Sequence, residues 1–308
     1  MTAMNGILNI YKESGMTSFA VVAKVRKFCG EKRVGHAGTL DPMATGVLPI
    51  LVGKAAVMQE RLSDHDKTYI AGIRLGVATD TGDVTGNILE TRDVFVTDEA
   101  FCNVLKQFTG KIKQVPPMYS AIQVDGKRLY DLARKGIQVE RQAREIEIYK
   151  NALIERVNDT DFVIEVSCSK GTYIRTLCED IGKELGTVAT MYSLERVQCG
   201  DYPKETSIKI GELEALFQQG RQDEIEKLLQ PVEPLFGHLP KVKLPEFYTK
   251  LCLSGCEIYL KKLRIDEDFF KESNGECRVY TFDNKFIGNA FVKDYPDGKA
   301  IKVKYRFL

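Results

Sequence analysis

The sequence predicts an α+β protein in which a larger mixed part is followed by a small β module. Three observations carry this. Period-two runs, such as Tyr69, Ala71, Ile73 and Leu75, are interspersed with capped runs of helical period. Pro231, Pro234, Gly237, Pro240 and Pro245 then mark a linker. Beyond them the runs are short and alternating, as in Ile301, Val303, Tyr305 and Phe307.

In chain order, Ser18 to Cys29 reads as a helix opened by Thr17 or Ser18, with Phe19, Val22, Ala23 and Arg26 at helical spacing. Lys24, Arg26, Lys27, Lys32 and Arg33 lead from it into a glycine-rich loop. Residues 68–76 form a strand ended by Gly76, and Asp80 and Asp83 close a hairpin or loop after it. Thr97 caps the clearest helix, which runs to Phe108. Asp98 and Glu99 favour its N-terminal dipole, Phe101, Val104, Leu105 and Phe108 form its apolar face, and Gly110 stops it.

From Gln114 to Ile146 the pattern changes. Pro116-Pro117 opens it, Asp125-Gly126 signals a turn, and Lys127, Arg128, Arg134, Lys135, Arg141 and Arg144 stud it. This reads as an excursion over about 114–146 that presents basic side chains to a partner. Phe162, Ile164, Val166 and Cys168 alternate in a strand. A helix with Ile174, Leu177, Cys178, Ile181 and Leu185 on one face follows, closed at Gly186. The acidic stretch 208–230 reads as one helix.

A chain of 308 residues with 44% hydrophobic and 28% charged residues has the composition of an ordinary soluble protein of more than one domain. No secretory signal pattern and no apolar run of transmembrane length are present, so a cytoplasmic protein is expected. The eight cysteines include no Cys-x-x-Cys pair, which argues for reduced thiols rather than zinc. The net charge of +1 conceals basic segments. Residues 104–150 hold ten Lys/Arg against five Asp/Glu, 241–308 hold fourteen against ten, and 205–233 hold three against seven. That distribution suits nucleic-acid contact over part of the surface, and random scatter accounts for it equally well.

The most informative stretch is Gly35-His36-Ala37-Gly38-Thr39-Leu40-Asp41-Pro42-Met43-Ala44-Thr45-Gly46. Glycines allow close backbone approach to a ligand, and Pro42 biases Asp41 away from the helical region. The segment therefore aims one acid from a loop. Taken alone, Asp41 before proline is the better Asx-turn residue, and a solitary His36 is usually structural. Tyr69 on a strand is ordinarily core, although a ring at a strand end can stack on a base. Arg175 is by default a surface ion-pair residue. If buried it needs a carboxylate, and Asp41 is the nearest in pattern.

Together these motifs resemble the bacterial-type tRNA pseudouridine-55 synthase family over nearly the whole chain. The resemblance runs through Gly6-Ile7-Leu8, Gly15-Met16-Thr17-Ser18, the Gly35–Gly46 stretch, Asp66-Lys67-Thr68-Tyr69 and Pro117-Met118-Tyr119-Ser120-Ala121. It continues in Gly126-Lys127-Arg128-Leu129-Tyr130 and Ser169-Lys170-Gly171-Thr172-Tyr173-Ile174-Arg175-Thr176. A weaker match lies at Lys285-Phe286-Ile287-Gly288. The family has Lys-Pro before Gly-Met-Thr-Ser where this chain reads Lys12-Glu13-Ser14-Gly15, so a less rigid N-terminal loop is expected.

The resemblance implies a mixed, largely antiparallel central sheet flanked by helices and loops, over residues 1–235, with the clamping insertion at about 114–146. Residues 240–308 would form a small β-barrel-like PUA domain that binds RNA. The implied activity converts uridine-55 in the tRNA T-arm to pseudouridine after flipping it out. The N1–C1′ bond breaks, the base turns, and C5–C1′ forms. Asp41 falls on the family's catalytic aspartate, acting at C1′ or on the 2′ proton, with a pKa lowered further by an adjacent Arg175. Tyr69 would stack on the uracil and help with the C5 proton. Tyr173 and Leu194 would line the pocket, and His36 would help hold the flipped nucleotide. Lys12, Lys127, Arg128 and Arg141 would contact phosphates.

The resemblance further implies no metal, no cofactor and no obligatory protein partner, in a monomer. A tRNA-folding role could coexist. The rivals are an RNA-binding protein without catalysis and a metal- or phosphate-using hydrolase. Intact Asp41, Tyr69 and Arg175 argue against the first. The absence of a Gly-Lys-Ser/Thr phosphate loop and of a carboxylate cluster argues against the second.

Overall fold

The computed structural model describes residues 4–120, 122–124, 126–133 and 135–308; the side chains of Gln123, Val124, Lys127 and Arg128 lie outside that description. The chain opens with β1 (Gly6–Lys12), α1 (Ser18–Cys29), β2 (Val34–His36), β3 (Thr45–Val52), α2 (Gln59–Ser63) and β4 (Lys67–Leu75). A hairpin of β5 (Val77–Thr79) and β6 (Ile88–Thr91) follows, then α3 (Asp98–Gln107) and β7 (Gly110–Gln114). The excursion holds β8 (Gln123–Val124), β9 (Lys127–Arg128) and α4 (Leu129–Ala133). Next come β10 (Arg144–Arg156), β11 (Asp161–Cys168), α5 (Ile174–Glu184) and β12 (Ala189–Cys199). The larger part closes with β13 (Tyr202–Pro203), β14 (Ile208–Lys209), α6 (Ile210–Gln218) and α7 (Gln222–Lys227).

The main sheet runs β14-β1-β3-β12-β4-β11-β10-β7, with β2 on β3 and β13 on β12. Most pairings are antiparallel; β12 runs parallel to β3 and β14 runs parallel to β1. This is the mixed, largely antiparallel sheet expected. From Val47 to Val52, β3 is apolar without interruption because both its faces are covered. Leu48, Ile50 and Val52 enter the main core with Val21, Val25 and Phe28 of α1, while Val47 and Leu51 enter a second core with Met58, Leu235 and Phe236.

Local signals placed most elements. Thr17 Oγ1 accepts the Ala20 N–H at 3.0 Å to cap α1, and Thr97 Oγ1 accepts from Ala100 at 3.2 Å to cap α3. The inward face of α1, however, is Ser18, Val21, Val22, Val25, Phe28 and Cys29. Phe19, Ala23 and Arg26 are exposed, so the helical spacing through Phe19 traced the solvent side. Both stripes share Val22, and only the buried one carries apolar side chains through to the last turn. The 208–230 stretch forms two helices rather than one, because Gly220 takes φ +71° between them.

The excursion leaves and returns at one point. Gln114 pairs with Arg144 across β7 and β10, so residues 115–143 are an enlarged hairpin connection. The C-terminal segment forms β15 (Lys241–Lys243), α8 (Glu246–Leu253), β16 (Ile258–Tyr259), α9 (Leu260–Leu263), β17 (Glu276–Tyr280), β18 (Phe286–Tyr295) and β19 (Gly298–Arg306). Its five strands make a separate sheet, β15-β17-β18-β19-β16, around their own apolar cluster. A register shift at Asn289/Ala290 divides the last alternating run. Ile301 and Val303 face that cluster, while Tyr305 and Phe307 pack on the second core of the larger part. An Arg61–Glu276 ion pair at 2.7 Å joins the two parts. Among the described residues no helix is long and apolar enough to cross a membrane.

Candidate active site

Asp41 sits on the connection between β2 and β3, and nearly every part of that connection is fastened. Ser18 Oγ donates to the Leu40 carbonyl at 3.0 Å and accepts the Leu40 N–H at 2.9 Å. The Gly15 N–H donates to the Pro42 carbonyl at 2.8 Å. Lys12 Nζ donates to the carbonyls of Ala44, Pro42 and Glu13 at 2.5, 3.2 and 3.0 Å. Arg196 closes both legs, donating from Nε to Val47 O at 2.7 Å and from Nη2 to Gly38 O at 3.0 Å. At Gly46, φ is +108° and a Cβ would stand 2.2 Å from the Arg196 carbonyl, so only glycine fits.

This corrects two expectations. Lys12 is fully buried with all three donors on backbone carbonyls, so it cannot reach a phosphate; it holds the Asp41 loop instead. Those bonds, with Gly15, fasten the N-terminal loop without the family's proline. Burial lowers the Lys12 pKa to about 8, opposed by the Asp41 charge.

Arg175, on the first turn of α5, is buried and meets Asp41 through Nε–Oδ2 at 3.1 Å and Nη2–Oδ1 at 3.4 Å. Its remaining donors bind the Tyr119 carbonyl at 2.8 Å and the Thr81 carbonyl at 3.1 Å. Asp83 Oδ2 stands 3.9 Å from Nη1. Asp83 does organise the loop after β5, since its Oδ1 accepts the Thr85 N–H at 2.9 Å, but it is also a second carboxylate on Arg175. Sequence reasoning missed that second role.

Contrary to expectation, the Asp41 carboxyl lies above its ordinary value of 3.8. Burial raises it, Arg175 and Lys12 oppose that, and Asp83 adds to it. A carboxylate of this kind is a stronger base than a hydrated one.

Tyr69 is the third residue of β4, in register with Arg196 on one side and Val166 on the other. Its phenol is pushed up to about 12 by burial, with Arg196 opposing. Leu194 lies two residues before Arg196 on β12, and Leu40, Ala44, Tyr69 and Leu194 share the main apolar cluster. That places a water-poor wall beside the acid. Tyr173 precedes α5, with its backbone N–H on Gln114 Oε1 at 2.8 Å and its carbonyl on Gln114 Nε2 at 3.1 Å. His36 ends β2; burial, then Arg196, lowers its pKa and keeps it neutral, and among the described residues its buried Nδ1 has no hydrogen-bond partner.

Arg141 Nη1 donates to the Pro116 carbonyl at 3.1 Å, so part of its guanidinium closes the base of the excursion rather than facing a partner. The side chains of Lys127 and Arg128 lie outside the described residues. Arg196 is the main functional residue the sequence reading omitted. The signal was its alternation with Leu194 on a strand, which sends an arginine inward. Among the described residues no group of three or more His, Cys, Asp or Glu is arranged to hold a metal ion.

Residues 26–174 match the model for the TruB family pseudouridylate synthase N-terminal domain, and residues 175–236 match the tRNA pseudouridylate synthase B C-terminal domain. The tRNA pseudouridine synthase B of Clostridium perfringens (strain 13 / Type A) is 42% identical over 286 residues, covering 92% of this chain and 94% of that protein. That of Clostridium novyi (strain NT) is 44% identical over 287 residues, with coverage of 92% and 94%. That of Clostridium kluyveri is 43% identical over 296 residues, with coverage of 95% and 97%. Two solved structures share the fold. An H/ACA RNP bound to a substrate RNA containing 2′-deoxyuridine has a TM-score of 0.69 at 24% identity, covering 98% of this chain and 85% of that one. A Cbf5-Nop10-Gar1 complex has a TM-score of 0.68 at 25% identity, with coverage of 98% and 85%.

Proposed function

Because the chain belongs to the TruB family of pseudouridylate synthases, we propose that it converts uridine-55 in the T-arm of tRNA to pseudouridine, with Asp41 as the acting carboxylate. The observation that carries the assignment is the Asp41–Arg175 pair on a closely fastened loop, beside an apolar wall. The isomerisation breaks N1–C1′ and forms C5–C1′; the C5 proton leaves and N1 gains one. One aimed carboxylate beside a dry resting place for the detached uracil meets that demand.

In this reading Asp41 acts at the ribose, and Arg175 holds both its oxygens so that they point one way. The raised proton affinity of Asp41 makes it more reactive than a hydrated carboxylate. Tyr69 stacks on the uracil as a neutral phenol, and Arg196 beside it lowers the cost of removing its proton. Tyr173 and Leu194 line the base pocket, and the neutral His36 ring packs against the flipped nucleotide without adding charge. Lys127 and Arg128 bring phosphate contacts from the excursion.

We further divide the chain into a catalytic unit, 1–235, and a PUA-like RNA-binding unit, 240–308, and place the protein in the cytoplasm as a monomer acting without a protein partner. The test is incubation of purified protein with an unmodified tRNA transcript in EDTA, followed by chemical mapping of pseudouridine. Wild type should modify position 55 and Asp41→Asn should not. An inactive wild type overturns the activity, and a fully active Asp41→Asn overturns the role of Asp41.

A further inference from the structure

The solvent face of α1 has no place in the reaction so far, yet it begins at the site. Ser18 is clasped to Leu40 by two hydrogen bonds, so Phe19 follows directly on the residue that fastens the Asp41 loop. Phe19 is 70% exposed. Ala23 and Arg26 continue the same stripe, and Lys27, Lys32 and Arg33 are exposed near its far end. At 1.5 Å per residue, Phe19 and Arg26 are about 10 Å apart along the helix.

The cations of this stripe lack carboxylate partners, although Lys27 Nζ lies 5.7 Å from the centre of the Phe217 ring. Among the described residues no carboxylate pairs with Arg26, Lys27, Lys32 or Arg33, whereas Lys24 is neutralised by Glu214 at 2.8 Å and drops out. Of the acids nearby, the Glu31 carboxylate accepts the Met4 N–H at 2.9 Å, and Glu13 is exposed before the helix. Cations in a last turn complement the helix dipole, which accounts for Arg26 and Lys27. It does not account for Lys32 and Arg33 beyond the helix, nor for an exposed aromatic ring in its first turn.

We propose that this face is an RNA track leading out of the active site: Phe19 stacks on an unpaired base near the target uridine, and Arg26, Lys27, Lys32 and Arg33 take phosphates of the strand leading away. The occupant is a polyanion rather than a protein. A protein interface needs an apolar, charge-poor centre, and this stripe offers one ring among cations. A base presents a flat face to that ring, and its backbone supplies the matching charge. The proposal rests on the tRNA reading above.

The test uses the full-length protein and an unmodified tRNA transcript, with binding measured across a salt series and kcat separated from KM. Phe19→Ala should raise Kd and KM about tenfold with kcat held within about twofold, and Phe19→Trp should restore both. Arg26→Ala/Arg33→Ala should reduce the slope of log Kd against log salt by about 1.5. An active wild type whose variants keep its Kd, KM and salt slope overturns the track. So does wild-type self-association that Phe19→Ala abolishes while tRNA binding is intact, which would make the face a contact between copies. A wild type that binds tRNA but forms no pseudouridine would instead overturn the activity, leaving the binding arm to judge the track.

Discussion

The Asp41 connection and the 115–143 excursion occupy the same topological place, each joining two adjacent antiparallel strands, and they are held in opposite ways. In the first, the carbonyls of Gly38, Leu40, Pro42 and Ala44 each accept a hydrogen bond from Arg196, Ser18, Lys12 or Gly15, and Leu40 and Ala44 are buried. In the second, the described hydrogen bonds run largely within the segment, as from Leu129 to Ile122 and from Arg141 to Pro116. Arg175 ties its start, at Tyr119, to the core. A reacting carboxylate loses rate when misplaced by an ångström, so its loop is over-determined. The RNA contact proposed for the excursion requires few ties of its own. Arg175 touches both connections, at the Tyr119 carbonyl and at the Asp41 carboxylate.

Four outcomes would break or sharpen this contrast. The largest concerns the fastened loop: Asp41→Asn should lower pseudouridine formation at least about a thousandfold while tRNA binding stays within a few-fold, read by single-turnover assay and filter binding. Next, Arg175→Gln should cost about a hundredfold in kcat, the worth of a charge-assisted double contact. It should also move the acid limb of kcat upward. Asp41 already titrates above 3.8, and removing Arg175 deletes the strongest influence holding it down, so activity should be lost at a higher pH as pH falls. An unmoved limb would detach Arg175 from Asp41.

Third, replacing 115–143 with Asn-Gly should leave the fold intact, because Gln114 and Arg144 are already paired and a two-residue turn fits them. KM should rise at least about tenfold, with a smaller change in kcat. Loss of the cooperative melting transition would show that the segment is part of the core. The smallest effect is a pH dependence. Lys12 falls from 10.5 unfolded to about 8 folded, so between those values only the unfolded chain keeps the proton. Stability carried by this group therefore rises with pH across that window. The thermal stability of wild type relative to Lys12→Met should shift in favour of wild type from pH 8 to pH 10. A constant difference would mean that Lys12 is not the buried amine seen here.

Much of the fold was legible because its signals are local. Thr17 and Thr97 announce their helices by supplying one hydroxyl acceptor each, and alternation from Tyr69 to Leu75 marks a strand whatever pairs with it. The α1 face was misread because Phe19 and Phe28 are equally apolar to a pattern, and only packing tells which has a neighbour. The single helix expected over 208–230 failed at Gly220, a stop that looks permissive in a polar stretch. Among site residues, Asp41 was marked by its glycines and proline. Lys12 was misassigned because a lysine near a loop looks like a phosphate ligand until its donors are seen to be occupied.

The amino-acid order alone determined the family, the mixed fold and the aspartate, because these rest on motifs and on short-range chemistry that survive outside any particular structure. Tertiary structure decided the environment of that aspartate. Residues distant in sequence, Lys12, Arg175 and Arg196, converge on one loop; the burial of Asp41 there raises its proton affinity against the pull of Arg175 and Lys12, and the carbonyls and carboxylate each cation meets assign its task.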